Sequence, residues 1–86
     1  MYKVEIKDEL SIKLKKLQKK NIVQFNAIFK KAEEIQINPH RYKNLKAPMN
    51  HFRRVHIDKH FVLIFSVDEE SKTVILQDYD HHDNIY

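Results

Sequence analysis

The sequence predicts an α+β domain in which a helical hairpin packs on a small, mainly antiparallel sheet, in the order β-α-α-β-β-β. Three observations carry this expectation. An alternating segment opens the chain, two stretches of helical period follow, and three β-rich runs separated by short polar turns close it. With 86 residues the chain has room for one modest core, so residues 1–86 are expected to form a single domain.

Tyr2, Val4 and Ile6 alternate with Lys3, Glu5 and Lys7, the period of a half-buried strand. Asp8 is then placed to cap a helix whose Leu10, Leu14 and Leu17 form one apolar stripe, with Lys13, Lys15, Lys16, Lys19 and Lys20 on the remaining surface. Asn21, with Gln24 three residues on, predicts a second cap. Ile22, Phe25, Ile28, Phe29, Ala32 and Ile35 keep helical spacing until Asn38-Pro39 ends it. Pro39 and Pro48 bracket a segment without periodicity, rich in Lys, Asn and Arg, which is expected to be an ordered basic loop. Strands are expected over Phe52 to Ile57, Phe61 to Val67 and Thr73 to Tyr79. Phe61 to Val67 has no polar alternate, so it belongs in the middle of the sheet with both faces covered, and Phe61 and Phe65 read as core. Glycine is absent, which leaves Asn and Asp as the expected residues for any turn with positive φ.

Composition narrows the function. Hydrophobic residues make up 42% and charged residues 33%, the range of a folded globular chain. Without cysteine neither a disulfide framework nor a thiolate zinc site can form. No apolar run approaches the length of a membrane span, and Met1 leads directly into the alternating segment, so a cytoplasmic address and no membrane partner are expected. The net charge of +4 conceals an asymmetry. Residues 1 to 59 carry 15 Lys or Arg against 6 Asp or Glu, whereas residues 60 to 86 carry 1 against 6. The basic part suits a polyanion such as RNA or DNA, or an acidic protein partner.

Six histidines form the main chemical signal, with His56 and His60 across one tight turn and His81 and His82 after the last strand. Imidazoles titrating near neutral pH supply the general base and general acid that phosphodiester cleavage by an RNA 2′-hydroxyl requires. The base takes the 2′ proton and the acid protonates the departing 5′ oxygen. Taken singly, each of these histidines is as well explained by an exposed strand end. A metal site is a further alternative, with His56, His60, His81, His82 and Asp83 as donors, although the spacing of His56 and His60 on a hairpin does not itself align two ligands. Alternation puts Phe52, Arg54 and His56 on one face and Arg53, Val55 and Ile57 on the other. If Val55 and Ile57 face the core, Arg54 and His56 share the open face, where a guanidinium could brace a phosphate beside an imidazole. The competing structural role for arginine is a cross-strand pair with Asp78 or Asp80. Lys43, Lys46 and the lysines of the first helix read as a phosphate-tracking surface, and Tyr86 could stack on a base or place a hydroxyl near the reaction.

The stretches Asn44-Leu45-Lys46, Phe52-Arg53-Arg54-Val55-His56-Ile57, Phe61 to Asp68, and Asp80-His81-His82-Asp83-Asn84-Ile85-Tyr86 resemble the C-terminal half of RelE-superfamily toxins. The first strand and the helical hairpin fit the same pattern, so the resemblance covers nearly the whole chain, and it is nearest the YafQ-like branch. That resemblance implies a type II toxin–antitoxin toxin that cleaves messenger RNA on the ribosome, without metal or other cofactor, using histidines on the sheet and near the C-terminus. His56 stands in the matching Arg-x-x-His strand, His60 falls where the branch has an acidic residue before an aromatic, and His82 lies four positions before Tyr86. Lys46 occupies the region of a further basic or imidazole group. Val62 stands where other RelE-like toxins place an arginine, which favours a site based on histidine. The implied site residues are therefore His56, His60, His82, Arg54 and Tyr86 for catalysis, with Lys43, Lys46, Arg53 and His81 against RNA. The implied partner is a cognate antitoxin that lays a helix over the basic surface. Two other functions remain compatible with these residues: a RelE fold without catalysis that binds RNA or antitoxin, and a gyrase poison of the ParE branch.

Overall fold

The computed structural model describes residues 1–85, so Tyr86, a candidate from the sequence, lies outside the described residues. Its elements are β1 (Lys3–Ile6), α1 (Asp8–Lys20), α2 (Ile22–Ile37), a turn of 3-10 helix (Pro39–Arg41), β2 (Arg53–His56), β3 (Phe61–Asp68), β4 (Thr73–His81) and α3 (His82–Ile85). The four strands form one mixed sheet in the order β1-β4-β3-β2. β1 runs parallel to β4, with Lys3 opposite Thr73 and Ile6 opposite Leu76, while the other pairs are antiparallel. The β1–β4 connection passes through the helical hairpin and the other two strands, which is the long return that a parallel pair needs.

The helical hairpin covers one face of this sheet. Leu10 and Leu14 of α1 and Ile28, Ala32 and Ile35 of α2 are buried against Val55, Leu63, Phe65, Val74, Leu76 and Tyr79. The apolar stripe of α2 begins one turn later than its spacing suggests, since Ile22 is half exposed. β3 is interior and covered on both sides. Leu63 and Phe65 face the helices, whereas Val62 and Ile64 lie under Leu45, Phe52 and Ile85 on the opposite, otherwise open face. A bulge between Ile64 and Phe65 shifts the β3–β4 register, so that Leu76 and Tyr79 both face the helices although their separation is odd.

The ends of the helices follow the expectation in one case and depart from it in the other. The Asn21 Oδ1 accepts the Gln24 amide at 3.1 Å, a side-chain cap at the start of α2. At α1, Lys7 occupies the cap position without a side-chain bond, and Asp8 sits in the first turn beside Glu9. Their charge still suits the positive end of the helix, as Lys19 and Lys20 suit the other. The turns also solve the lack of glycine differently. Among the described residues the positive φ falls on Lys72 (53°), not on Asn or Asp. Aspartate instead works by side-chain bonding: Asp58 Oδ1 accepts the amides of His60 and Phe61 at 2.8 and 2.9 Å, and Asp68 Oδ1 that of Glu70 at 3.1 Å.

The basic loop is ordered because it pairs with the sheet edge. Arg54 donates its amide to the Lys43 carbonyl, Leu45 donates to Phe52, and Asn44 bridges Arg53. The loop so protects the outer side of β2 from open-edge pairing.

Candidate active site

Two turns of backbone bring three histidines together. His60 lies in the turn between β2 and β3, and its carbonyl accepts the His82 amide at 2.7 Å, which joins that turn to the start of α3. His81 is the last residue of β4, opposite Phe61. The rings of His60 and His81 stack with centroids 5.7 Å apart, His60 and His82 at 6.4 Å, and His81 and His82 at 4.8 Å. His60 is exposed and the other two half-buried.

The turn that carries His60 is anchored from behind. Besides taking two amides from the turn, Asp58 receives the Gln24 side-chain amide of α2 on Oδ2 at 3.1 Å. Gln24 gives its second hydrogen to the Tyr79 hydroxyl at 2.7 Å. The His60 amide, followed by the Phe61 amide and Gln24, holds the Asp58 carboxyl below the ordinary aspartate range. Burial pushes the Tyr79 hydroxyl up, so this phenol remains a neutral fixture of the network. On the other side, Asp83 Oδ1 lies 2.9 Å from His82 Nδ1 and its Oδ2 3.5 Å from His81 Nδ1. The Asp83 amide also donates to His81 Nδ1 at 3.2 Å. One residue therefore orients two rings through their Nδ1 atoms.

A lysine-rimmed hollow of about 280 Å³ adjoins the cluster, lined by Lys13, Lys16 and Lys20 of α1 together with Phe61, Tyr79 and Asp80. Phe61 connects the two, stacked on Tyr79 and edge-on to His81 at 5.5 Å. The lysines of α1 thus rim a hollow next to the histidine corner, which sequence spacing did not reveal. Lys13 reaches past the end of β1 to Asp78 Oδ1 at 2.8 Å and the Tyr79 carbonyl at 2.9 Å, with Asp80 at 3.9 Å. This one lysine thus serves both Asp78 and Asp80. The Asn84 amide, then the His81 amide and Lys13, keep the Asp80 carboxyl below its ordinary range.

The open face of the sheet carries the remaining candidates. The strand row His56–Val62–Asp80 turns His56 outward onto this face, exposed, and it enters none of the three ring stacks. The structure thus unites His60 with His81 and His82, not His56 with them. Arg54 lies in the next row with Ile64 and Asp78 and helps to line a cleft of about 500 Å³ with Asn44, Leu45, Lys46, Met49 and Ile85. A contiguous cleft of about 620 Å³ shares Leu45, Met49 and Ile85 and runs to Lys7, Lys13 and Asn84. Its apolar floor and basic rim were not evident from the sequence, because Met49 and Ile85 come from segments without periodicity. Lys46 borders the cleft, and Lys43 is exposed beside it. Arg53 goes elsewhere: on the helix side of β2 its guanidinium donates to the Tyr42 carbonyl at 2.7 Å and lies 3.3 Å from His40 Nδ1.

No helix is long and apolar enough to cross a membrane among the described residues. The profile of the ParE toxins of type II toxin–antitoxin systems matches residues 4–86. A putative toxin RelE4 of Methanocaldococcus jannaschii is 59% identical over 86 residues, covering 100% of this chain and 92% of its own. Among solved structures, a YoeB/ParE toxin from Agrobacterium tumefaciens superposes with a TM-score of 0.83 at 12% identity, covering 93% of this chain and 98% of that one. The Mycobacterium tuberculosis RelBE2 toxin–antitoxin complex gives 0.77 at 22% identity, with 93% and 96% covered. E. coli YafQ gives 0.70 at 17% identity, with 100% and 99% covered, and so is one of several fold neighbours. Sequence match along nearly the whole chain and the shared mixed sheet lead to one conclusion: this protein belongs to the RelE/ParE superfamily and is the toxin of a type II toxin–antitoxin system.

Proposed function

We propose that this toxin is an endoribonuclease that cleaves messenger RNA on the ribosome by metal-independent general acid–base catalysis. The observation that supports it most is the convergence of His60, His81 and His82 at a corner bordered by the lysines of α1. Asp83 engages His82 Nδ1, which leaves Nε2 to act as a base on the 2′-hydroxyl. The 2′ oxygen attacks the phosphorus, and His60 protonates the 5′ oxygen as the P–O bond breaks, giving a 2′,3′-cyclic phosphate and a new 5′-hydroxyl end. His81 stacks on both of these rings and meets Phe61 edge-on, where it contacts RNA. Arg54, Lys43 and Lys46 hold phosphates along the open face, and His56 extends that row toward the β2–β3 turn. Tyr86, just beyond α3, stacks on a base. The partners in this reading are messenger RNA, the ribosome and an antitoxin whose helix fills the apolar cleft on the open face. The site of action is the cytoplasm.

Ribosome-dependent cleavage in a translation extract tests this. His60→Ala and His82→Ala should each lower the cleavage rate by about 10²–10⁴-fold, the usual share of a positioned acid or base. Cleavage undiminished in both variants overturns the mechanism. A second reading follows from the ParE profile: poisoning of DNA gyrase, which predicts DNA damage with intact messenger RNA. A purely binding toxin would give neither.

A further inference from the structure

We propose that His60, His81 and His82 form a binding site for one borderline divalent transition ion of the zinc type. One ligand atom from each ring lies within 4.8 Å of the others. A tetrahedral ion with Zn–N bonds of roughly 2.0–2.1 Å needs nitrogens about 3.3 Å apart. Small rotations of three exposed or half-exposed rings close that gap. The backbone has already done the costly part, since the bond from the His82 amide to the His60 carbonyl joins two segments 22 positions apart.

The chemistry of the second layer supports the same assignment. Histidines that bind metal commonly give their other nitrogen to a carboxylate, which fixes the tautomer and raises donor strength. Asp83 provides this to His82, whose Nδ1 lies 2.9 Å from Oδ1 and whose Nε2 is left for the ion, while its backbone amide donates to His81 Nδ1 at 3.2 Å and steadies the second ring. The third ligand, His60, comes from a turn held by Asp58 and Gln24. Three neutral imidazoles with a fourth position open to water suit Zn²⁺, Ni²⁺ or Cu²⁺ and disfavour Mg²⁺ or Ca²⁺, which require oxygen ligands. By contrast, His40 is taken up by Glu69 and Arg53 and the His51 ring lies tilted against Phe52, and among the described residues neither joins a group of three donors.

This site shares His60 and His82 with the proposed ribonuclease, but its test reads binding and not cleavage. The untagged chain, stripped of metal with a chelator, is titrated with ZnCl₂ by calorimetry and with CoCl₂ by visible absorption. One ion per chain is expected, with the intense bands of tetrahedral Co²⁺. His60→Ala, His81→Ala and His82→Ala should each weaken binding by about tenfold or more, and Asp83→Asn by about tenfold, while His40→Ala and His51→Ala leave it unchanged. Circular dichroism shows that each variant is folded. Absence of binding to the intact chain, or affinity equal to the intact chain in the three histidine variants, overturns the site.

Discussion

The two ends of β3 present the same kinds of residue in opposite states. At one end His40, Glu69, Tyr2 and Lys72 form a closed set. Tyr2 donates to both Glu69 oxygens at 2.9 and 3.1 Å, Lys72 donates to Oε2 at 2.7 Å, and His40 contacts Oε1 while Arg53 approaches its other nitrogen. At the other end three imidazoles converge, two of them beside the Asp83 carboxylate, and leave ring nitrogens over. A histidine beside an acid is therefore not informative by itself. What distinguishes the corners is whether the donors and acceptors are used up, and the first corner ties β1 to the β3–β4 turn, whereas the second keeps capacity for a ligand.

The sharpest way to break this contrast is to exchange the histidines. His82→Ala should cost about two orders of magnitude or more in messenger RNA cleavage, whereas His40→Ala should leave it within about twofold. Equal losses would show that the two corners do not differ in function. Next in size is the response to metal: the stripped toxin should cleave at the same rate with and without EDTA, and Zn²⁺ in excess should suppress cleavage by occupying the imidazoles. Zinc-stimulated cleavage would overturn the metal-independent mechanism while leaving the ion site in place.

Smaller effects concern stability. Lys13→Met removes the cation that serves Asp78 and the Tyr79 carbonyl, and since both partners of the ion pair are about half exposed, a loss of only about 0.5–1 kcal/mol is expected in urea unfolding. The smallest effect belongs to the closed corner. Lys72, then Tyr2 and His40, depress the Glu69 carboxyl to about 2 from its ordinary 4.5. A depressed carboxylate stabilises the fold fully above its unfolded pKa, and that contribution disappears as pH falls from about 4.5 toward 2. Glu69→Gln should accordingly show a shallower decline of Tm through that window. An unchanged slope would mean that Glu69 is not linked to folding.

Much of the site's frame was legible from residue order. The alternation of Arg53, Arg54, Val55 and His56 correctly separated a core-facing valine from the outward Arg54 and His56, and Arg53 did face the helices. His60, His81 and His82 were all singled out by residue type, yet their meeting at one corner apart from His56 was not. His56 is four positions from His60 but is turned away, because a tight turn reverses the chain between them and strand alternation fixes which face His56 takes. The α1 lysines were underweighted for a similar reason. Helical spacing shows that Lys13, Lys16 and Lys20 lie together, but not that they border Phe61 and Tyr79.

By itself, the sequence determined the local choices: the Asn21 cap, the stop at Asn38-Pro39, the apolar run of β3, and a basic half joined to an acidic one. These follow from periodicity and from side chains that bond within a few residues, and both act along the chain. Only the tertiary structure decided that β1 pairs in parallel with β4, that the bulge at Ile64 and Phe65 puts Tyr79 on the helix face, and that His60, His81 and His82 meet. Each depends on register between distant strands, where a shift of one residue would send every side chain to the other face.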